Sequence, residues 1–341
     1  MSLEFRHIAH AYGDVAALRD VSFSANPGEI TCLLGSSGCG KSTLLNLAAG
    51  LLPVQEGSVS VGGEVIAQRG LNPPPEARPV GLVFQDGALF PHMTIAKNIG
   101  FGLGKGAGSD SVIEDWLERV GLAGLGARYP HELSGGQQQR AALARAMAPG
   151  PEVLLMDEPF ASVDIVLRRR LRRDCRRLLR EAGTTTILVT HDPEEALDVG
   201  DRIAVMEAGR IVQFGTAGEL HEAPAAASVG AIFRGAQIVA AEREGDRLRT
   251  QFGDWPLECV LGEMPAAQRL NLLVEADRLS LVGDADGLSV RDRQSLGHGE
   301  RMVLVNHDGA ELTFEGAVPE TRAQRFWVTP DTESVRAFVR E

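Results

Sequence analysis

Ile30-Thr31-Cys32-Leu33-Leu34-Gly35-Ser36-Ser37-Gly38-Cys39-Gly40-Lys41-Ser42 decides the fold of this chain. From Ile30 to Leu34 it reads as a short buried strand, which the glycines of Gly35 to Gly40 interrupt before a helical pattern runs from Lys41 to Leu52. The loop matches G-x-x-x-x-G-K-[ST] and sits between strand and helix, where that motif works. Glycines let the backbone wrap its N–H groups around a phosphate, and the helix N-terminus adds partial positive charge. Lys41 is placed to neutralise phosphate oxygens, and Ser42 to offer a hydroxyl to Mg²⁺.

Outward from this loop, buried-strand patterns recur at Val80 to Phe84, Val153 to Met156, Thr186 to Thr190 and Arg202 to Met206, with helical stretches between several of them. The alternation predicts an α/β layer with a largely parallel sheet. Leu3 to Ile8, Val21 to Ala25 and a hairpin over Gly57 to Ile66, turning at Gly62 and Gly63, predict an antiparallel patch beside it. Helical patterns fill Thr94 to Ala148, including Ser111 to Val120. Beyond Phe233, short strands at Leu270 to Val274 and Met302 to Val305, with a turn at His307 to Ala310, predict a separate β-rich domain.

Val153-Leu154-Leu155-Met156-Asp157-Glu158 ends an apolar strand in two carboxylates, at the sheet edge where α/β proteins collect ligands. Taken alone, such an ending is more often a plain solvated turn. Beside a phosphate loop it divides two tasks: Asp157 toward Mg²⁺, and Glu158 toward the water that attacks a phosphorus atom.

Composition narrows the partners. The chain has 341 residues, is 44% hydrophobic and carries a formal charge of −12, with no global basic field for nucleic acid. Two domains are expected from the length. Glu4, Arg6 and His7 interrupt the apolar run that a secretory leader needs, and no apolar stretch approaches the roughly 18 residues of a membrane span. Cys32, Cys39, Cys175 and Cys259 form no C-x-x-C pair, which fits a reduced, cytoplasmic setting. The arginine run from Arg168 to Arg180 accompanies Leu167, Leu171, Cys175 and Leu178 at helical spacing, so it reads as the solvated face of an amphipathic helix.

Leu133-Ser134-Gly135-Gly136-Gln137 is a second glycine-rich segment before a helix, read as Gln138 to Met147, and it has no lysine of its own. Together with the phosphate loop and the Asp157–Glu158 strand end, it makes the chain resemble the ABC ATPases over about Leu3 to Phe233. The resemblance implies an ABC-type P-loop NTPase core over 1–233, with an antiparallel β subdomain and an inserted helical subdomain near 86–150. A small β-rich, OB-like regulatory domain would follow over 234–341. It implies ATP and Mg²⁺ as ligands, with Gly35, Ser36, Ser37, Gly38, Cys39, Gly40, Lys41, Ser42 and Thr43 around the phosphates.

Further roles rest on the same resemblance. Tyr12 resembles the aromatic that stacks on adenine, Gln85 the glutamine that meets Mg²⁺ and the attacking water, and His191 the histidine at the γ-phosphate. Asp164 resembles the aspartate of the loop crossing the dimer interface, although Ser162-Val163-Asp164 replaces the usual Ala-Leu-Asp or Asn-Leu-Asp. In this family two copies dock head to tail, so Ser134, Gly135, Gly136 and Gln137 of one would close over ATP held by the other. Membrane permeases at the inner face of the cell membrane and, indirectly, a periplasmic binding protein are the implied partners. A single ATPase unit with a β-rich tail resembles the importer branch, rather than translation or repair ATPases or a metabolic kinase. Gln85 to His92 and Tyr129 to Arg140, with the glycine-rich stretch Gly102 to Gly108, most resemble bacterial ferric-iron importers, with polyamine, thiosulfate and sugar importers as alternatives.

Overall fold

The computed structural model describes residues 1–85, 88–103, 109–161, 165–318 and 325–340. It divides into two compact units, Met1–Ala217 and Gly218–Glu341, so the division falls ahead of the 233/234 boundary expected from sequence. Each unit has its own buried core.

The first unit is built on a sheet of β3 (Ile30–Leu34), β6 (Val80–Val83), β7 (Val153–Asp157), β8 (Thr185–Thr190), β9 (Arg202–Glu207) and β10 (Arg210–Gly215). Its order is β10-β9-β3-β8-β7-β6, with every pair parallel except β10 against β9. All residues of β3 and β8 are buried. Strands covered on both faces carry no polar alternation, which is why these segments read as continuous apolar runs.

An antiparallel sheet stands beside it, ordered β2-β1-β4-β5, from β1 (Leu3–Tyr12), β2 (Val15–Ala25), β4 (Glu56–Val61) and β5 (Glu64–Gln68). The β4–β5 hairpin turns at Gly62 (φ 59°) and Gly63 (φ 87°), the pair of positive φ angles that a tight hairpin demands. Phe5 stacks on Phe23 with ring centroids 4.9 Å apart, joining this sheet to the core that also holds Leu33, Leu44 and Leu47.

Helix α1 (Lys41–Ala49) follows β3 and stops at Gly50, whose left-handed φ of 85° ends the helix short of the expected Leu52. The buried Arg78 lies across that end, donating Nη1 to the Leu47 and Ala48 carbonyls at 2.7 and 2.9 Å. It neutralises the negative end of the helix that carries the phosphate loop.

Between β6 and β7 run α2 (Ile95–Ile99), α3 (Ser109–Arg119) and α4 (Gly135–Met147). Asn98, fully buried on α2, accepts from Phe90 N–H at 2.8 Å and donates to the carbonyls of Phe90, Met93 and Thr94. Then come α5 (Ile165–Ala182) and α6 (Pro193–Val199). α5 buries Leu171, Cys175 and Leu178 as the spacing predicts, but it also buries Arg172, so the arginine run is not wholly solvated.

In the second unit, α7 (Ala217–Glu222) and α8 (Ala227–Arg234) lead to β11 (Gln237–Glu244), β12 (Arg247–Thr250), β13 (Gly253–Pro256), β14 (Arg269–Val274), β15 (Leu279–Leu296), β16 (Gly299–Val305), β17 (Glu311–Gly316), β18 (Arg325–Pro330) and β19 (Arg336–Val339). Among the described residues they form two antiparallel sheets, β13-β12-β11-β14-β19 and β17-β16-β15-β18. Trp255 fills the core between Phe252, Phe314 and Phe326 and donates its indole N–H to the Val328 carbonyl at 2.9 Å. Burying the ring without that acceptor would strand a donor.

Candidate ATP site

Three adjacent parallel strands, β3, β8 and β7, deliver the site to their carboxyl ends. After β3 the chain turns through Gly38 (φ 83°) and Gly40 (φ 106°), and Gly40 becomes the N-cap of α1. A side chain at Gly40 would be blocked, because a Cβ there would lie 2.6 Å from the Ala17 carbonyl oxygen. Lys41, buried at the start of α1, folds back and donates Nζ to the carbonyls of Gly35 and Ser36 at 2.7 and 2.9 Å. Cys39 Sγ lies 3.7 Å from the same ammonium group.

β7 ends at Asp157, whose Oδ1 accepts from Ser42 Oγ at 3.2 Å. Burial holds this carboxyl above the ordinary carboxylate range; the Ser42 hydrogen bond and Lys41 oppose that, and the Glu158 charge adds to it. Glu158 adopts φ 43°, an uncommon angle for a side chain of its size, and its N–H is held by the Val189 carbonyl at 3.0 Å. That tie to β8 aims its carboxylate at His191, whose Nδ1 lies 3.1 Å from Glu158 Oε1. Ser42, Asp157, Glu158 and His191 therefore meet although they come from three separate strand ends.

Tyr12 is half-exposed at the end of β1, with its hydroxyl 3.4 Å from Thr43 Oγ1. Gln55 grips the preceding residue, accepting from Ala11 N–H at 2.9 Å and donating to its carbonyl at 3.0 Å. Gln85 lies exposed just past β6, and no hydrogen bond among the described residues joins it to Ser42, Asp157 or Glu158. Arg145 of α4 donates to the Ala88 carbonyl at 2.6 Å and lies over the Phe90 ring, fixing the segment that follows. Asp164 lies outside the described residues.

The signature segment folds differently from its reading. The helix opens at Gly135 rather than Gln138, so Gly135, Gly136 and Gln137 form its first turn. Ser134 is the N-cap: its Oγ accepts from Gln137 N–H at 3.4 Å, and Gln137 Oε1 accepts from Ser134 N–H at 2.9 Å. This reciprocal capping outweighs the poor helix propensity of two glycines. No hydrogen bond among the described residues links Ser134–Gln137 to the loop at 35–43. Sequence reading missed Arg78, Gln55 and Arg172, which have partners 20 or more residues away in the chain, and Asn98, whose partners Phe90, Met93 and Thr94 are local.

A nucleotide-binding loop after a central strand, two acids at the end of a parallel strand two places along the sheet and a capped glycine-rich helix define a phosphate-cleaving cassette. The family described as "ABC transporter" matches residues 18–161. An Fe(3+) ions import ATP-binding protein, FbpC 2 of Rhodococcus jostii (strain RHA1), is 45% identical over 254 residues, spanning 74% of this chain and 73% of that protein. Sulfate/thiosulfate import ATP-binding protein CysA 2 of Chromobacterium violaceum (strain ATCC 12472 / DSM 30191 / JCM 1249 / CCUG 213 / NBRC 12614 / NCIMB 9131 / NCTC 9757 / MK) is 42% identical over 278 residues, 80% of this chain and 74% of that one. Among solved structures, a dimeric post-hydrolysis state of the ATP-binding cassette MJ0796 bound to ADP and Pi matches with TM-score 0.54 and 28% identity, covering 63% of this chain and 98% of that one.

The chain belongs to the ABC transporter family. Within it, this protein is an ATP-hydrolysing, ATP-binding subunit of the importer kind.

Proposed function

We propose that two copies of this chain dock head to tail and hydrolyse MgATP at two shared sites to drive ferric-iron uptake through membrane permeases. The observation that carries the reading is that the chain has two glycine-rich helix starts, the loop at 35–43 with Lys41 and the capped segment Ser134–Gln137 without a lysine, as a member of a family with a dimeric solved relative. One nucleotide needs both, and a second copy supplies the missing half with twofold symmetry.

In this reading the loop amides and Lys41 hold the β and γ phosphates, with Lys41 exchanging its carbonyl partners for phosphate oxygens. Ser42 Oγ and Asp157 Oδ1 are hard oxygens 3.2 Å apart, a donor set that fits Mg²⁺ completed by phosphate and water. The metal, when bound, would neutralise charge developing on the phosphates. Glu158 accepts a proton from the attacking water, and His191 holds the γ-phosphate while its other nitrogen faces Glu158. Tyr12 would stack on the base, and Gln85 would meet the metal and the attacking water.

Among the described residues no helix is long and apolar enough to cross a membrane. The proposed place of work, the cytoplasmic face of the membrane against permeases, is supported by relatives named as import ATP-binding proteins. Ferric iron is supported by relatives named for Fe(3+) import at 44–45% identity. A second reading, sulfate or polyamine uptake, is supported by relatives named for those cargoes at 42% and 47% identity. Deletion should abolish ⁵⁵Fe uptake, and iron-loaded binding protein should stimulate the reconstituted ATPase. Normal ⁵⁵Fe uptake with lost thiosulfate or spermidine uptake would transfer the cargo to the second reading.

A further inference from the structure

The arginine run of α5 contains one member unlike the rest. Arg168, Arg169, Arg176, Arg177 and Arg180 keep at least a quarter of their side chains in solvent, whereas the Arg172 side chain is 2% exposed. A guanidinium that deep needs compensation, and four carboxylates surround it. Glu194 is largely solvated, so its contact at 3.6 Å adds little, while Asp198, about half exposed, accepts from Nη1 at 3.2 Å. The informative partners are Asp192, whose Oδ2 lies 2.6 Å from Nη2, and the buried Glu195, whose Oε1 lies 3.3 Å from the same nitrogen.

These two carboxylates continue into a closed circuit. Glu195 Oε2 accepts from Thr190 Oγ1 at 2.6 Å, and Thr190 Oγ1 accepts from Asp192 N–H at 3.0 Å. Asp192 Oδ1 meanwhile caps α6, accepting from Glu194 N–H at 2.9 Å. The only residue between Thr190 and Asp192 is His191. Its ring is solvent-facing and touches Glu158, so the position of its backbone sets where the imidazole reaches.

We propose that Arg172 is a positioning residue for ATP hydrolysis: through Asp192, Glu195 and Thr190 it fixes the turn that presents His191 to the γ-phosphate. This rests on the reading of His191 given above. A lysine keeps the charge at 172 but loses the planar fork, which holds Asp198 through Nη1 while Nη2 serves Asp192 and Glu195. Without that fork the turn relaxes, and Lys41, Ser42 and Asp157 still bind nucleotide.

The test is a double-mutant cycle in the full-length protein, reading steady-state kcat and ATP affinity for R172K, H191A and R172K/H191A. Expected are a fall in kcat of about tenfold or more for R172K, near-normal ATP affinity, and no further fall when R172K is added to H191A. T190V provides a second route: it opens the circuit while leaving every charge in place, and it should repeat the same non-additive pattern if R172K does not fold. Wild-type kcat in R172K, or effects of R172K or T190V that multiply with H191A, would overturn the proposal and leave His191 untouched. Normal hydrolysis by H191A would instead remove the His191 reading and this proposal together.

Discussion

His191 Nδ1 stands 3.1 Å from Glu158 Oε1, a contact made across the ends of two adjacent parallel strands. The tie from Glu158 N–H to the Val189 carbonyl sets that distance at the backbone level. Glu158→Gln keeps the volume and can still hydrogen-bond His191, but it cannot take a proton. ATP binding and ATP-driven dimer closure should persist while hydrolysis falls by a factor on the order of 10² or more. A near-normal turnover in that variant would remove Glu158 from the chemistry.

Asp157 gives a pH-dependent prediction. Its folded pKa is raised, chiefly by burial, so the folded protein holds this proton more tightly than the unfolded chain does. The resulting destabilisation is absent below the unfolded value of about 4 and complete once pH has passed the raised value. Asp157→Asn should therefore raise the melting temperature of nucleotide-free, chelator-treated protein at pH 7, with the gap narrowing toward pH 4. The same variant should lose Mg²⁺-dependent hydrolysis. Equal melting of both proteins at pH 7 would contradict the burial cost.

Cys39 is buried inside the phosphate loop with its Sγ 3.7 Å from the Lys41 ammonium; burial pushes the Cys175 thiol up to about 12, that of Cys259 up to about 11, and raises Cys32 as well. Thiolate is the reactive form, so those three should be inert near neutral pH. N-ethylmaleimide should inhibit the ATPase, MgATP should protect it, and Cys39→Ala should be resistant. Unchanged sensitivity of Cys39→Ala would assign the inhibition elsewhere.

Arg78 seals the far end of α1 through the Leu47 and Ala48 carbonyls. Arg78→Met keeps much of the apolar stem and strands both acceptors in a buried setting, a loss of about 2–3 kcal/mol. Urea denaturation of the first unit's transition reads this directly. An unchanged midpoint would show that water replaces the guanidinium without loss.

Sharing of the site between copies is tested by mixing damaged chains. A dimer of Lys41→Ala with Ser134→Arg places both lesions in one site and leaves the other whole. It should retain measurable hydrolysis, while each homodimer of the variants is inactive. An inactive mixed dimer would count against a composite site.

The strand-loop-helix at Ile30–Lys41, the acidic end of β7 and the Gly62-Gly63 hairpin were legible because local chemistry enforces each. Glycine angles and unbroken apolar runs leave a mark within a few residues. Arg78 and Arg172 leave no such mark: their acceptors are 31 and 20 residues away, and nothing in the intervening spacing indicates them. The start of α4 was obscured for the opposite reason. Gly135-Gly136 argues locally against a helix, and only the pairing of Ser134 with Gln137 reverses it.

The sheet order β10-β9-β3-β8-β7-β6 places the three strands that end in the site in the interior of the sheet, away from both edges. Amides in β3 and β8 should then exchange with deuterium only when the whole unit opens, because no smaller opening frees them. The strands beneath the site melt with the unit. Damage at a distant core position will surface as a smaller amount of intact subunit in the cell, each copy turning over ATP at its usual rate, rather than as a full complement of sluggish ones.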